Sequence, residues 1–273
     1  MHPQSSAADA VSGAAALSAC VDGVVLTDNQ YGQTHMSPLA AASLLLEAGV
    51  DPIVQLCCRN RNRTALVSEL LGMRAIGVTS VMLIQGNKVP DGFEPRPRSV
   101  MDMQAKELIS TAQTINLDED LAGEDFLIIA SGTVHDPQPG WQPEELVGKT
   151  SAGAQVIITQ LCFDVEMLKR YMAYLVAQKL VHQMSFVISL ATLPSADVAR
   201  WLRDNRRRAL IPPDIIKRLE QSVDGEAEGV AICSELLRQY AEIPGISGVN
   251  LISPGDPGTI AAAVRDSGLS KAE

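Results

Sequence analysis

The sequence predicts a parallel α/β fold of the barrel type, and three observations lead to this prediction. Short apolar segments rich in β-branched residues alternate with longer segments of helical periodicity, a pattern typical of βα units. The chain has 273 residues, close to the roughly 250 that are typical of an eight-stranded α/β barrel. No linker, internal repeat or low-complexity tract divides it. We therefore expect a single (β/α)8 barrel domain of the TIM type over residues 1–273.

Seven segments have the composition and length of strands that are buried on both faces of a parallel sheet. A closed barrel of this type needs eight strands, so the first strand is expected to be missing or replaced. Open strand edges expose unpaired backbone groups. We therefore expect residues before Val21, a partner chain or another copy of the chain to cover these edges. The alternative is that the recorded start of the sequence lies after the true start. The predicted strands are residues 23–27 (GVVLT), 52–57 (PIVQLC), 80–84 (SVMLI), 126–131 (FLIIAS), 155–160 (QVIITQ), 185–190 (SFVISL) and 248–252 (GVNLI).

Between the strands, apolar residues recur at helical spacing. Leu66, Leu70 and Met73, for example, form one stripe along a helix surface. Two consecutive prolines suit the start of a further helix, because proline is well tolerated in the first turn. The helices predicted in this way cover residues 62–76, 163–180 and 226–241 and the segment that begins at Pro212-Pro213.

Composition narrows the function classes. Thirty-two acidic and 22 basic residues give a formal net charge of −10, and only 4% of the residues are aromatic. Such a chain is unsuited to nucleic acid or anionic lipid, which attract basic surfaces, and it has few residues on which bases would stack. No apolar run reaches the about 18 residues of a membrane span. The five cysteines are odd in number and lack CxxC spacing, which favours a reduced compartment. We expect a cytoplasmic protein that binds a small molecule.

In parallel α/β barrels the chemistry lies where the strands end, so the residues there are the candidates for a site. Two Pro/Gly-rich regions, 86–97 and 132–148, follow strands and are too long for tight turns, which favours functional loops. The strand ends carry amides and hydroxyls with one imidazole and one guanidinium, which suits a heteroaromatic ligand better than a metal ion. No GxGxxG, GxSxG or P-loop motif is present. These strand-end residues are Thr27, Asp28, Asn29, Cys57, Cys58, Arg59, Gln85, Gly86, Asn87, Ser131, His135, Gln160, Thr192 and Ser253.

Three stretches of the sequence carry a resemblance to a known family. Residues 55–72 (QLCCRNRNRTALVSELLG), and the following strand that ends in Gln-Gly-Asn, resemble the methylenetetrahydrofolate reductases. That family has a Thr-Cys-Arg-Asp-Arg-Asn-Arg type run there, and then a strand that ends in Gly-Asp. Residues 149–164 (KTSAGAQVIITQLCFD) are similar to its Lys-x-x-Ala-Gly-Ala…Thr-Gln-x-x-Phe-Asp signature. Residues 211–219 and 243–251 resemble its closing helices and last strand.

The resemblance spans residues 21–268, and residues 1–20 are expected to form an N-terminal helix or a variable segment. It implies a flavoprotein of one-carbon metabolism and methionine biosynthesis. In this family NADH or NADPH reduces FAD, and the flavin passes a hydride to 5,10-methylenetetrahydrofolate to give the 5-methyl form. The resemblance implies that Gln160 and Asn87 contact the reduced folate. It also implies that Lys149 places a cation beside the FAD pyrophosphate. The positions that would line the FAD are Thr27, Gln55, Gln85, Gly86, Asn87, Ser131, His135, Lys149 and Ala154.

Departures from the family pattern leave the catalytic residues unknown. Family members begin with a strand that carries a glutamate, the general acid that helps open the imidazolidine ring of the folate. This chain starts at Met1, level with the end of that strand, so no residue matches the acid. Asn87 stands at the family's aspartate and cannot supply the negative charge that tunes the flavin. Asn60 replaces another aspartate, and residues 196–198 lack the aromatic side chain that stacks on nicotinamide in some relatives.

Several candidates also have a purely structural interpretation. Gln160 ends a buried strand, where amides are often satisfied internally, although the surrounding motif favours a ligand role. His135 is either a capping or surface histidine or a cofactor ligand. Arg59, Arg61 and Arg63 either face a phosphate or take ion-pair and solvent partners at the start of a helix. For Arg61 and Arg63 we favour the second interpretation.

Two function hypotheses follow. The first is a flavin-dependent reductase that converts 5,10-methylenetetrahydrofolate to 5-methyltetrahydrofolate with NADH or NADPH. The second is a reductase-like protein that binds folate or flavin without reductase activity, such as a partner subunit or a one-carbon transferase. The absent glutamate and Asn87 motivate the second hypothesis. The folate-type motif disfavours a barrel that binds neither ligand.

Overall fold

The computed structural model describes residues 6–30, 34–87 and 97–269. Within them, seven parallel strands alternate with helices, which confirms the predicted α/β class and the architecture of a (β/α)8 barrel that is one strand short. The elements in chain order are α1 (Ala7–Ala15), β1 (Val24–Leu26), α2 (Pro38–Glu47), β2 (Pro52–Cys57), α3 (Arg63–Ala75), β3 (Ser80–Ile84), α4 (Ala105–Asn116), β4 (Leu127–Gly132), α5 (Glu144–Ser151), β5 (Val156–Leu161), α6 (Val165–Ala177), β6 (Ser185–Ala191), α7 (Ala196–Asn205), α8 (Pro213–Gln221), α9 (Gly225–Ala241), β7 (Ile246–Ile252) and α10 (Gly258–Ser267).

The chain divides into two compact units, each built from its own run of parallel strands. The first unit comprises Met1–Ala130 and Glu144–Gln155, and the second comprises Ser131–Pro143 and Val156–Glu273. Strand order follows chain order: β1, β2, β3 and β4 as far as Ala130 belong to the first unit, and β5, β6 and β7 belong to the second. All seven predicted strand segments therefore form strands.

In the first unit, β2 and β3 each have one buried and one half-buried face. Val54 and Leu56 point to the buried face and are fully inaccessible. Gln55 and Ile53 alternate with them and are half-buried, as is Met82, the register partner of Gln55 on β3. Side chains of a strand alternate between faces, so the half-buried residues share one side of the sheet. That side offers an apolar surface with an amide in its middle.

In the second unit, side-chain hydrogen bonds join the strands at an irregularity in β5. The register between β5 and β6 shifts between Ile158 and Leu161. Ser189 on β6 compensates for the shift, since its hydroxyl donates to the Thr159 carbonyl (2.6 Å) and its N–H donates to the Thr159 hydroxyl (3.2 Å). Asn250 on β7 adds a bond from Nδ2 to the Ser189 hydroxyl (2.9 Å). The side chains of Thr159, Ser189 and Asn250 thus hold the strands of this sheet together.

Helix starts follow local sequence signals. The side chain of Asn62 caps α3 by accepting from the Ala65 N–H (2.9 Å), and Pro213 occupies the first turn of α8 as predicted. The predicted loop over residues 132–148 is wrong from Glu144 onward, where α5 begins. Two glutamates in its first turn favour that start, because they complement the positive end of the helix dipole. Most of the predicted loop over residues 86–97 lies outside the described residues.

The N-terminal segment forms α1, which begins with a capping box: the Ser6 hydroxyl accepts from the Asp9 N–H, and the Asp9 carboxylate accepts from the Ser6 N–H. This helix packs against α2 within the first unit. Among the described residues, helices are too short or too polar to cross a membrane.

Candidate functional site

The sequence-predicted site residues are divided between the two units. Most of them follow the ends of strands or lie on strands, as expected for a parallel α/β protein, whereas Lys149 lies on α5 and Ala154 precedes β5. Thr27, Gln55, Gln85, Gly86, Asn87, Lys149 and Ala154 belong to the first unit, and Ser131, His135 and Gln160 belong to the second.

Gln55 and Asn87 are the amides of the first unit that remain available to a ligand. Gln55 lies on the half-buried face of β2 beside Met82, and its amide makes no hydrogen bond to any described residue. Every buried side-chain nitrogen or oxygen atom of the described residues has a hydrogen-bond partner. The Gln55 amide has none, so it reaches solvent. The side chain of Asn87 is exposed just beyond β3. Each of these groups can both donate and accept toward a heteroaromatic ring.

Gln85, by contrast, uses its side chain inside the protein. Its Oε1 accepts from the backbone N–H of Ala105, the first residue of α4, at 2.8 Å. Its Nε2 donates to the Met103 carbonyl at 3.2 Å. The amide that the resemblance places against FAD therefore holds the start of α4, a role that sequence reasoning missed because the partners lie about twenty residues away.

Gly86 has a conformational and a steric reason to be glycine. Its φ is +79°, a region that favours glycine. A Cβ atom there would lie 3.0 Å from Cβ of Arg59 and 3.2 Å from Cβ of Cys57. Packing against β2 therefore accounts for this glycine without a ligand.

The arginine run at the start of α3 is used structurally. The Arg61 guanidinium pairs with the fully buried carboxylate of Asp28 (2.5 Å) and more loosely with Glu69 (3.4 Å). Arg63 forms an exposed pair with Glu107 on α4. These contacts support the structural interpretation of Arg61 and Arg63.

Asp28 is held in its ionised form. Burial by itself raises the pKa of Asp28, but the Arg61 charge and hydrogen bonds from the Cys57 backbone and from Arg61 outweigh burial, so the pKa lies below its ordinary value. Burial also raises the pKa of the adjacent Cys57 thiol to about 12, so this cysteine stays protonated and unreactive at neutral pH. The sequence placed Asp28 at a strand end but gave no sign of its partner 33 residues away.

Lys149 lies in the last turn of α5, and Ala154 follows the helix. The ammonium group of Lys149 pairs with Glu145 (2.6 Å), and the lysine side chain is only 12% exposed while that of Glu145 is 74% exposed. The Ala154 N–H donates to the Lys149 carbonyl (3.0 Å), which closes the helix end. The structure thus holds a largely buried cation at the position that the resemblance assigns to the pyrophosphate.

In the second unit, Gln160 fastens the loop that follows β4. Its Oε1 accepts from the Val134 N–H and its Nε2 donates to the Val134 carbonyl, both at 3.2 Å. An amide has two donor hydrogens and two acceptor lone pairs, so Gln160 keeps one of each for a ligand. The structural and ligand interpretations of this residue are therefore compatible.

His135, next to Val134, is fixed in orientation by its surroundings. Its Nδ1 lies 3.2 Å from the Thr133 carbonyl, and since a carbonyl oxygen only accepts, Nδ1 carries the hydrogen. The ring packs edge-to-face on Trp141 (4.5 Å between centroids) and against Tyr171 (5.2 Å). Sequence reasoning missed these two aromatic partners, because nothing in the local pattern links a loop tryptophan to a tyrosine on α6. Ser131 precedes this loop and is half-buried at the end of β4.

Known proteins resemble the chain both in sequence and in fold. The family model of methylenetetrahydrofolate reductase matches residues 9–252. No curated protein sequence matches the chain. One similar solved structure is an uncharacterized protein from Clostridium thermocellum that binds two copies of 5-methyl-5,6,7,8-tetrahydrofolic acid. It is 14% identical, with a TM-score of 0.67 over 96% of this chain and 87% of that one.

Two further structures share the fold more distantly. DmoA from Hyphomicrobium sulfonivorans has a TM-score of 0.54 at 11% identity, over 97% of this chain and 82% of that one. A fungal β-1,4-galactanase has a TM-score of 0.51 at 11% identity, over 88% and 79% of the two chains. Structural likeness at these identities shows the fold alone. The family model, however, covers most of the sequence, and the chain therefore belongs to the methylenetetrahydrofolate reductase family.

Proposed function

We propose that this protein binds a reduced folate and reduces 5,10-methylenetetrahydrofolate to 5-methyltetrahydrofolate, with FAD as cofactor and NADH or NADPH as reductant. The observation that carries the proposal is the family match over residues 9–252. The similar protein from Clostridium thermocellum binds 5-methyltetrahydrofolate, the product of this reaction, which supports a reduced folate as the ligand class.

The residues of the first unit fit a flavin. Gln55 presents an amide on a half-buried apolar face, Asn87 presents another beyond β3, and Lys149 offers a largely buried cation. An isoalloxazine ring needs apolar contact over its faces and hydrogen bonds at its edges, and a pyrophosphate needs positive charge. The bound flavin would supply hydride transfer.

The protein's own contribution in this proposal is binding and orientation. Gln55 would bind the edge of a ring that lies on the half-buried face, with Met82 as apolar support. Gln160 would bind the pterin with the donor and acceptor that its bonds to Val134 leave over. Asn87 would bind either ring, although a neutral amide does not stabilise a developing positive charge.

The test is anaerobic oxidation of NADH or NADPH by the purified protein, with and without FAD and methylenetetrahydrofolate. We expect flavin absorbance in the preparation, or uptake of added FAD, and oxidation that depends on the folate. A colourless protein that neither takes up FAD nor binds a reduced folate would contradict the proposal.

A second candidate is a reductase-like protein that binds folate or flavin without turnover, as a partner subunit or a one-carbon transferase. Asn87 favours it, because the neutral side chain removes the charge that the family places near the flavin and the pterin. This candidate predicts saturable binding of 5-methyltetrahydrofolate in calorimetry together with no folate-dependent oxidation of NADH or NADPH. Robust oxidation would exclude it.

Location and assembly belong to the same proposal. We place the protein in the cytoplasm, because its five cysteines are all unpaired and four of them are buried. One edge of β1 pairs with β2, and the other edge pairs with no strand of the described residues. A second copy or a partner chain would cover that second edge. Light scattering on the purified protein, alone and in cell extract, tests for such an assembly.

A further inference from the structure

Arg59 is the first residue of the arginine run, and it is more deeply buried than Arg61 and Arg63. Only 3% of its surface is exposed, and it immediately follows Cys58 at the end of β2. Among the residues that the structure describes, no carboxylate lies within 4 Å of its guanidinium, since Asp28 pairs with Arg61 instead. A buried arginine without an ion pair must satisfy its donors in another way.

The guanidinium satisfies them with oxygens from three strand ends. Nη2 donates to the Asn29 carbonyl at 2.8 Å and more weakly to the Asp28 carbonyl at 3.4 Å, both just after β1. Nη1 donates to the Asn87 carbonyl at 3.4 Å, just after β3. Nε donates to the Asn60 side chain at 2.9 Å. One planar group on the loop after β2 therefore bonds to the loops on both sides of it.

Gly86 contributes to the same cluster, because the absence of a side chain lets the backbone after β3 pack against Arg59. Any side chain at Gly86 would approach the Cβ atom of Arg59 to 3.0 Å. Asn29 has a φ of +49°, an uncommon conformation that a strong bond to its carbonyl helps to maintain. The position of Asn87, whose side chain is exposed, thus depends on a guanidinium that lies behind it.

We propose that Arg59 is a positioning residue of the folate and flavin site: it holds the backbone at Asn29, after β1, and at Asn87, after β3, in one arrangement and does not itself touch the ligand. The inference rests on the proposed function, because it assumes that the residues at the ends of β1, β2 and β3 bind the reduced folate or the FAD cofactor. A lysine cannot replace Arg59, since a single ammonium group lacks the planar fork that reaches several carbonyls at once.

The experiment compares Arg59→Ala, Arg59→Lys and Arg59→Met with the matched control Arg63→Ala, whose side chain is exposed and paired with Glu107. Binding of 5-methyltetrahydrofolate is measured by calorimetry at a temperature where circular dichroism shows each variant to be folded. We expect all three Arg59 variants to bind at least tenfold more weakly and the control to bind as the wild type does. Millimolar ethylguanidinium, but not ethylammonium, restores binding to Arg59→Ala, which a general loss of stability would not explain.

Hydrogen exchange gives a second measurement that needs no ligand. The peptides that contain Asn29 and Asn87 exchange faster in the Arg59 variants than in Arg63→Ala, while α6 and α9 stay unchanged. Folded Arg59 variants that bind folate normally and exchange normally would overturn the positioning role. If the wild type binds no folate, the proposed function fails, and unchanged exchange at Asn29 and Asn87 would then still refute the role of Arg59.

Discussion

Gly229 on α9 lies directly against the backbone of Leu193: a Cβ atom at Gly229 would overlap the Leu193 carbonyl oxygen and come within 3.0 Å of the Leu193 nitrogen. Gly225, one turn earlier on the same helix, faces Pro194 in the same way, with a Cβ atom 2.7 Å from the Pro194 carbonyl oxygen. The two glycines form a flat strip along which the segment after β6 runs. This close approach sets the position of the Leu193-Pro194 turn at the strand end.

The first prediction concerns that contact. In an open helix position, Gly→Ala stabilises a protein by up to about 1 kcal/mol. At Gly229 the added methyl group must push α9 and the Leu193 backbone apart, so we expect Gly229→Ala to lower the free energy of unfolding by about 3 kcal/mol. The measurement is urea unfolding followed by circular dichroism. The control is Gly13→Ala in α1, where nothing lies within 4 Å of the added atom. Equal effects of the two substitutions would contradict the steric explanation.

The second prediction concerns the pH dependence of stability. Because the folded-state pKa of Asp28 is below its ordinary value of 3.8, the ion pair with Arg61 stabilises the fold above that pH. This stabilisation is lost as the pH falls through the depressed folded pKa. At pH 7 we expect Asp28→Asn to destabilise the protein by about 3 kcal/mol, since it leaves Arg61 partly buried without its partner.

Denaturant unfolding of wild type and Asp28→Asn at a series of pH values tests the sign. The difference between them is expected to be constant near neutrality and to shrink below pH 3.8 as wild-type Asp28 becomes protonated. Asp22→Asn, at an exposed position, serves as the control and is expected to change stability little. A difference that does not vary with pH would argue against an ionised Asp28.

The third prediction concerns Asn87. If the protein is a reductase, Asn87→Asp places a negative charge where it stabilises a cationic folate intermediate, and kcat rises by at least about tenfold, or about 1.4 kcal/mol. Asn87→Ala supplies no charge and is expected to give no rise. The measurement is the rate of methylenetetrahydrofolate-dependent NADH or NADPH oxidation. If the Asn87→Asp variant binds flavin and folate but has a kcat no higher than that of the wild type, the neutral side chain of Asn87 does not limit the reductase rate.

The fourth prediction separates two roles of Gln160. Gln160→Ala removes two bonds to Val134 as well as any ligand contact, so we expect a loss of about 1 to 2 kcal/mol in stability. For direct contact we also expect folate affinity to fall at least about tenfold, or about 1.4 kcal/mol. Gln160→Glu keeps the acceptor for the Val134 N–H but loses the donor, and we expect it to weaken binding by a similar factor. Calorimetry and thermal unfolding of both variants, with exposed Gln138→Ala as control, provide the test. A stability loss without an affinity loss would leave Gln160 a purely structural residue.

Much of the fold could be predicted from the sequence, because strand and helix periodicity is local. The β-branched segments around Val54 and Val81 and the helical stripe through Leu66 and Leu70 each extend over a few turns or residues, so they need no distant information. The start of α5 at Glu144 was missed for the same reason. Its surroundings are rich in proline and glycine, and local composition there favoured a loop.

Periodicity and short motifs such as residues 149–164 were sufficient to predict the α/β class, the seven strands and the family. Which polar groups already have a partner inside the protein depends on contacts that form only in the folded chain. Gln85 binds the N-terminus of α4, Asp28 pairs with Arg61, and Gly229 makes room for Leu193. Each of these partners lies 20 or more residues away, and hydrogen bonds and steric contacts act over a few ångströms in space, whatever the separation along the chain.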